Sequence, residues 1–141
     1  MHYAEEVFEG MQATRGIDGK IRMFRPMYNM ARFAASAKRA SLPSFSQGEL
    51  LECIRRLIEI DQDWVPKSGA LYIRPALIAT EPVLGISTAR TCELFVLTSP
   101  SGSYFSDCSV RLFADPAHVR AWKGGSGYVK MGANYSPTIY H

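Results

Sequence analysis

Gly127-Tyr128-Val129-Lys130-Met131-Gly132-Ala133-Asn134-Tyr135 places a lone lysine among small residues, eleven positions before the chain stops. A lysine amine is nucleophilic only when unprotonated, and glycines beside it let a flat cofactor and the main chain approach closely. The stretch reads as a Schiff-base site. Taken by itself it also fits a solvated loop lysine, so the residues around it must decide.

Composition narrows the choice of ligand. The chain has 141 residues, enough for one ordinary domain with a sizeable core, and its 47% hydrophobic and 21% charged content is that of a folded soluble protein. The longest strongly apolar run, Leu94 to Leu97, is far too short to cross a bilayer as a helix, and no membrane partner is expected. The net charge of +3 is spread along the chain, which disfavours a nucleic-acid groove and suits a small anionic ligand. Cys53, Cys92 and Cys108 are widely spaced and form no zinc pattern, and His2, His118 and His141 form neither a metal nor a triad pattern. The cysteines read as reduced, mostly buried thiols of an intracellular protein, and no metal is expected.

Residues 10–15 and 20–24 are strand-like runs around Gly16-Ile17-Asp18-Gly19, whose Asp-Gly supplies a tight turn, so a β-hairpin is expected. Pro26 opens a helix with Met30, Phe33, Ala34 and Ala37 on its buried face and Tyr28, Arg32, Ala35 and Arg39 opposite. Ser46 and Glu49 form a capping box before a second helix that buries Leu50, Ile54, Leu57 and Ile58. Strands follow at 70–79, alternating, and at 92–99, a continuous apolar run suited to a central position. Pro100-Ser101-Gly102-Ser103 marks a composition shift where a domain boundary is placed. Beyond it a strand is expected at Val110 to Phe113, a capped turn at Asp115-Pro116 and a helix after Tyr135.

Four motifs, in order along the chain, carry a resemblance. His2-Tyr3 through Phe8-Glu9-Gly10, Leu71-Tyr72-Ile73-Arg74-Pro75, Ala121-Trp122-Lys123-Gly124-Gly125 and Lys130-Met131-Gly132-Ala133-Asn134-Tyr135 resemble the branched-chain amino acid aminotransferases of the animal type. The resemblance implies an α+β small domain of a fold-type IV pyridoxal-phosphate enzyme over residues 1–100, an interdomain loop over 101–112 and the start of a large cofactor-binding domain over 113–141. Members of that family are much longer, so the chain reads as a fragment that begins inside the first domain and ends inside the second, inactive and only marginally stable alone. Val119, Trp122, Val129 and Ile139 would then lack their core.

What the family implies for single residues follows. Lys130 would bind pyridoxal 5'-phosphate covalently and move a proton at the substrate α-carbon. Arg32 would hold the cofactor phosphate, and Tyr135 would stand near the cofactor's phenolic oxygen. Tyr72 and Arg74, two apart on one strand and so on one face, would line the substrate pocket with Tyr3, Phe8 and Tyr104. Simple core packing is the competing fate of each aromatic residue. The implied substrates are leucine, isoleucine and valine with their 2-oxo acids, in a mitochondrial or cytosolic homodimer. The redox-active cysteine pair of some members, the acidic partner of the pyridine nitrogen and much of the phosphate cup would lie outside the chain.

Departures from the family pattern are Ala31 where an acidic residue is usual, Ala133 in place of a glycine, Gln12 in place of a lysine and a shorter loop over 106–113. With Ala31, the orientation of Arg32 must rest on other partners. D-amino acid aminotransferases and aminodeoxychorismate lyases share the fold, but Tyr72-x-Arg74 and Phe8-Glu9-Gly10 fit the branched-chain group better. A non-catalytic folding or interaction domain is the alternative from a different class.

Overall fold

Pro75 stands in the middle of the central strand, and the sheet is arranged around its missing N–H. In the computed structural model, which describes residues 2–102 and 109–140, β1 (Glu6–Phe8), β2 (Met11–Arg15), β3 (Ile21–Met23), β4 (Ala70–Ala79) and β5 (Cys92–Ser101) form one antiparallel sheet. β4 pairs along its whole length with β5, and on its other edge with β1 and β2 in turn. The pairs Val7–Leu77 and Met11–Ile73 share one register, which sets Glu9 opposite Pro75. Glu9 N–H donates to the Pro75 carbonyl at 2.9 Å. A proline cannot return the second bond of such a pair, so the ladder is interrupted there and β1 and β2 count as separate strands.

The expected hairpin forms from β2 and β3, with Gly19 at φ 76° in the turn. Helix α1 (Pro26–Arg39) starts at Pro26 and carries Lys38 and Arg39 in its last turn, where cations oppose the negative end of the helix dipole. It buries Met30, Phe33, Ser36 and Ala37, while Ala34 is only half-buried. Helix α2 (Gln47–Ile60) is capped by Ser46, whose Oγ accepts from Glu49 N–H at 3.4 Å, and buries Leu50, Ile54 and Ile58. Both helices pack on one face of the sheet, against Val7, Met11, Ala13, Leu71, Ile73 and Leu77. The fold is the expected mixed α+β arrangement. The opposite face of the sheet, with Phe8, Arg74, Ala76, Phe95 and Leu97, is left for the site.

Several expectations need correction. The cysteines are not mostly buried: Cys53 is exposed and Cys92 only partly covered. β5 is not central: among the described residues it pairs only with β4, which is the buried strand, and Leu97 is exposed. No strand forms at 110–113, where Val110, Leu112 and Phe113 are exposed, because a strand needs a neighbour to take its N–H and C=O groups and none is described there. After Tyr135 the chain makes a 3-10 turn, Ser136–Thr138, following another at Gly132–Asn134, not an α-helix. Val129 is buried at 4% exposure, whereas Val119, Trp122 and Ile139 are exposed. The Asp115 turn forms as expected, with Asp115 Oδ1 accepting from Ala117 N–H at 2.8 Å.

Candidate active site

The lysine segment is bound to the free edge of β1. Phe8 N–H donates to the Lys130 carbonyl at 3.1 Å, and Val7 forms an isolated antiparallel bridge with Met131. On its other side the Lys130 N–H donates to Ser36 Oγ of α1 at 3.0 Å. The turn that presents the lysine is held by Asn134, which is buried. Its Nδ2 donates to the carbonyls of Ser126 and Val129, each at 2.8 Å, and its Oδ1 accepts from Ser126 Oγ at 2.7 Å.

That anchoring fixes the amine over an aromatic floor. Lys130 Nζ donates to Tyr135 Oη at 3.2 Å, 4.8 Å from the centroid of the Phe8 ring. The Phe8 and Tyr135 rings are 4.9 Å apart and tilted by 54°. Arg74 lies over the same Phe8 ring at 4.6 Å and donates through Nη2 to Tyr72 Oη at 3.0 Å. Among the described residues the Arg74 Nε–H is buried without a partner. A buried, unpaired charged donor is costly, so it marks a place where a ligand acceptor would be favoured. Phe8, Arg74, Lys130 and Tyr135 line one cleft of about 650 Å³, completed by Glu6, Phe95, Leu97 and Ile139. Two cations against one carboxylate favour an anionic ligand, and the apolar lining favours an aliphatic one.

Gly10 makes room for Tyr72. A Cβ on Gly10 would stand 2.0 Å from Tyr72 Oη, so a side chain there would displace the phenol that steadies Arg74.

The partner that Arg32 requires in the absence of an acid at position 31 is Glu9. Arg32 Nε and Nη2 donate to the two carboxylate oxygens of Glu9 at 2.7 and 2.5 Å, and Gly10 N–H adds a third bond to Glu9 at 2.7 Å. The Glu9 side chain is fully buried while that of Arg32 is 53% exposed. Glu9, chiefly through these hydrogen bonds, pushes the guanidinium still further toward its charged form, and Tyr135 and Tyr72 lie near enough to add to the effect. Arg32 Nη1 makes no hydrogen bond to a described residue, so it remains available to a ligand.

Lys130, Tyr135, Phe8 and Arg74 therefore share one cleft, with Tyr72 behind Arg74 and Arg32 within electrostatic reach of Tyr135. Tyr3 does not join them. It is half-exposed and donates to the Leu84 carbonyl at 2.9 Å in a separate cavity of about 350 Å³ lined by His2, Glu81 and Pro82 among others. Tyr104 lies outside the described residues. Glu9, Ser36 and Asn134 were missed as positioning groups. For Glu9 a signal existed: it shares the two-residue period of Val7, Met11 and Ala13, and a carboxylate on a core face requires a partner.

No family model matches the chain. Its sequence is 53% identical over 145 residues to the cytosolic branched-chain-amino-acid aminotransferase of Ovis aries, covering 99% of this chain and 38% of that protein. It is 51% identical over 144 residues to the mitochondrial enzyme of Bos taurus, covering 99% of this chain and 37% of that one. The T.th. branched-chain amino acid aminotransferase, solved with pyridoxamine 5'-phosphate, superposes with a TM-score of 0.71 at 26% identity, over 99% of this chain and 46% of that one.

The class defined by this fold and site is that of the fold-type IV aminotransferases. Within it, the chain belongs to the branched-chain-amino-acid aminotransferase family, and it spans less than two fifths of the length of the curated relatives quoted.

Proposed function

We propose that the chain supplies the lysine-bearing wall of the active site in a branched-chain amino acid aminotransferase. The whole protein would use pyridoxal 5'-phosphate to move the amino group of leucine, isoleucine or valine to 2-oxoglutarate. The observation that carries this reading is the Lys130 amine, held by Tyr135 over the Phe8 ring in the cleft that also contains Arg74.

When bound, pyridoxal phosphate supplies an electron sink for the carbanion left when an amino acid loses its α-proton. The donor set fits it: a lysine amine for the aldehyde, an unengaged Nη1 on Arg32 for the phosphate, and the Tyr135 hydroxyl for a ring oxygen. Lys130 Nζ, when neutral, is the base that takes the α-proton of the amino acid and can return it. Tyr135 Oη limits where that amine can sit. Phe8, Phe95, Leu97 and Ile139 offer apolar contact to an aliphatic side chain, and the Nε of Arg74, unpaired among the described residues, suits a carboxylate. Tyr72 holds Arg74 in place. Tyr3 stands in another cavity and is left out of this set. By the same likeness we assign the whole protein to the cytosol or the mitochondrion and to a homodimer.

The test is a chimera in which this sequence replaces the matching 145-residue stretch of the Ovis aries enzyme. The expected result is cofactor-dependent formation of glutamate from leucine and 2-oxoglutarate, lost in Lys130→Ala with the melting temperature preserved. A Lys130→Ala chimera that retains turnover would remove Lys130 from the mechanism. A folded, cofactor-loaded chimera without turnover would overturn the assignment of function.

A further inference from the structure

We infer that Ser36 is a positioning residue, whose hydroxyl fastens the main chain at Lys130 to the same helix that carries Arg32. Ser36 is wholly buried within α1, a place where serine is ordinarily disfavoured because its hydroxyl competes for main-chain groups. Here both sides of the hydroxyl are used. Oγ–H donates to the Arg32 carbonyl one turn earlier at 3.0 Å, which fixes the rotamer and turns the oxygen lone pairs outward. Lys130 N–H, 94 positions away in sequence, donates to that oxygen at 3.0 Å.

The Lys130 peptide is thus gripped from two elements. Its N–H is taken by α1 and its carbonyl by Phe8 N–H of β1 at 3.1 Å. A short lysine-bearing turn with no regular strand of its own gains a fixed place relative to both. Alanine at position 36 would improve helix propensity but leave the Lys130 N–H without an acceptor beside a buried position. The serine is therefore explained by what it does for Lys130 and not by what it does for the helix.

The consequence concerns a ligand with two ends. An aldehyde that carries a phosphate must meet the amine at Lys130 while its anionic end meets Arg32, so the two need one frame. Ser36 supplies it, bonded to the Arg32 carbonyl on one side and the Lys130 amide on the other. This inference rests on the cofactor reading proposed above.

The test uses the chimera with the Ovis aries enzyme described above and its Ser36→Ala and Ser36→Thr variants. Each is treated with pyridoxal phosphate or with pyridoxal and reduced with borohydride. Labelled lysines are then quantified by peptide mass spectrometry, with exposed Lys20 as the internal reference. Amide hydrogen exchange at Lys130 is followed in parallel, with Leu71 and Ile73 of β4 as monitors of the whole fold. The unsubstituted chimera should favour the phosphorylated aldehyde at Lys130 and not at Lys20. Ser36→Ala should lower that preference by about two- to tenfold, the effect of one net hydrogen bond. It should also speed Lys130 exchange while Leu71 and Ile73 hold. Ser36→Thr, which keeps the hydroxyl, should restore both.

The inference is overturned if Ser36→Ala leaves both readouts unchanged, or if Lys130 exchange rises only in step with Leu71 and Ile73. If the unsubstituted chimera shows no preference for the phosphorylated aldehyde, the cofactor reading fails instead, and exchange at Lys130 still decides whether the serine grips the lysine segment.

Discussion

Breaking the Glu9–Arg32 pair from its two ends should have unequal costs. Arg32→Ala leaves a fully buried carboxylate with only the Gly10 N–H, and removing one partner of a buried ion pair costs about 3 to 5 kcal/mol. Because the Arg32 side chain is 53% exposed, water can replace part of what is lost, and the expected cost is the lower end, about 3 kcal/mol. Glu9→Gln keeps an acceptor in place and leaves an arginine that can turn to solvent, so it should cost only about 1 kcal/mol. The double variant has no buried charge to strand and should be about 1 to 2 kcal/mol below the parent, well short of the sum. Urea unfolding of the four proteins, compared at equal slope, closes the cycle. If Arg32→Ala costs no more than Glu9→Gln, or the double variant costs the sum, the buried carboxylate does not depend on Arg32 and the account of this pair is wrong.

Other outcomes follow from single contacts. Gly10→Ala should lose about 1 to 3 kcal/mol, since its Cβ would stand 2.0 Å from Tyr72 Oη, and adding Tyr72→Phe should recover part of the loss in a thermal melt. If the second change makes matters worse, the clash lies elsewhere. Asn134→Ala removes the bonds to Ser126 and Val129 and should reduce local protection by about 2 to 3 kcal/mol, seen as faster amide exchange at Val129 and Asn134 with β4 unaffected. Arg22, chiefly by its hydrogen bond, and then the Lys20 N–H hold the Asp18 carboxyl down from 3.8 to about 2. A depressed folded value means the contribution is complete above 3.8 and lost as pH falls through about 2. Carbon NMR should place the Asp18 midpoint near 2 and show it rising toward 3.8 in Arg22→Ala; a midpoint that stays put would mean that Arg22 is not the cause.

Local chemistry made much of this fold legible. Asp18-Gly19 set the hairpin, Pro26 and Ser46 set the helix starts, and the two-residue period of 70–79 separated Tyr72 and Arg74 from Leu71 and Ile73, as the structure has them. What sequence could not decide was context. An apolar run such as 92–99 fits a central or an edge strand equally, and only the pairing partners distinguish them. Val110 to Phe113 has strand composition but no described neighbour to pair with. Lys130, Tyr135, Phe8 and Arg74 were named from motifs, and the structure gathers them in one cleft, while Tyr3 falls in another. Ser36 and Asn134 escaped notice because their roles exist only through bonds to main-chain groups distant along the chain or around a tight turn, which leave no periodic trace.

Pro75 gives the site something that no residue in the cleft provides. Its ring nitrogen faces Glu9, and of the two bonds such a pair would share only the one from Glu9 N–H to the Pro75 carbonyl is made. The rung where the ladder is broken is also the one on which both arginines depend. Glu9 there turns its carboxylate to Arg32, and Gly10 beside it leaves the space in which Tyr72 holds Arg74. A proline without a hydrogen and a glycine without a side chain thus stand side by side at the join of β1 and β2, and the two cations of the site are set from that one join.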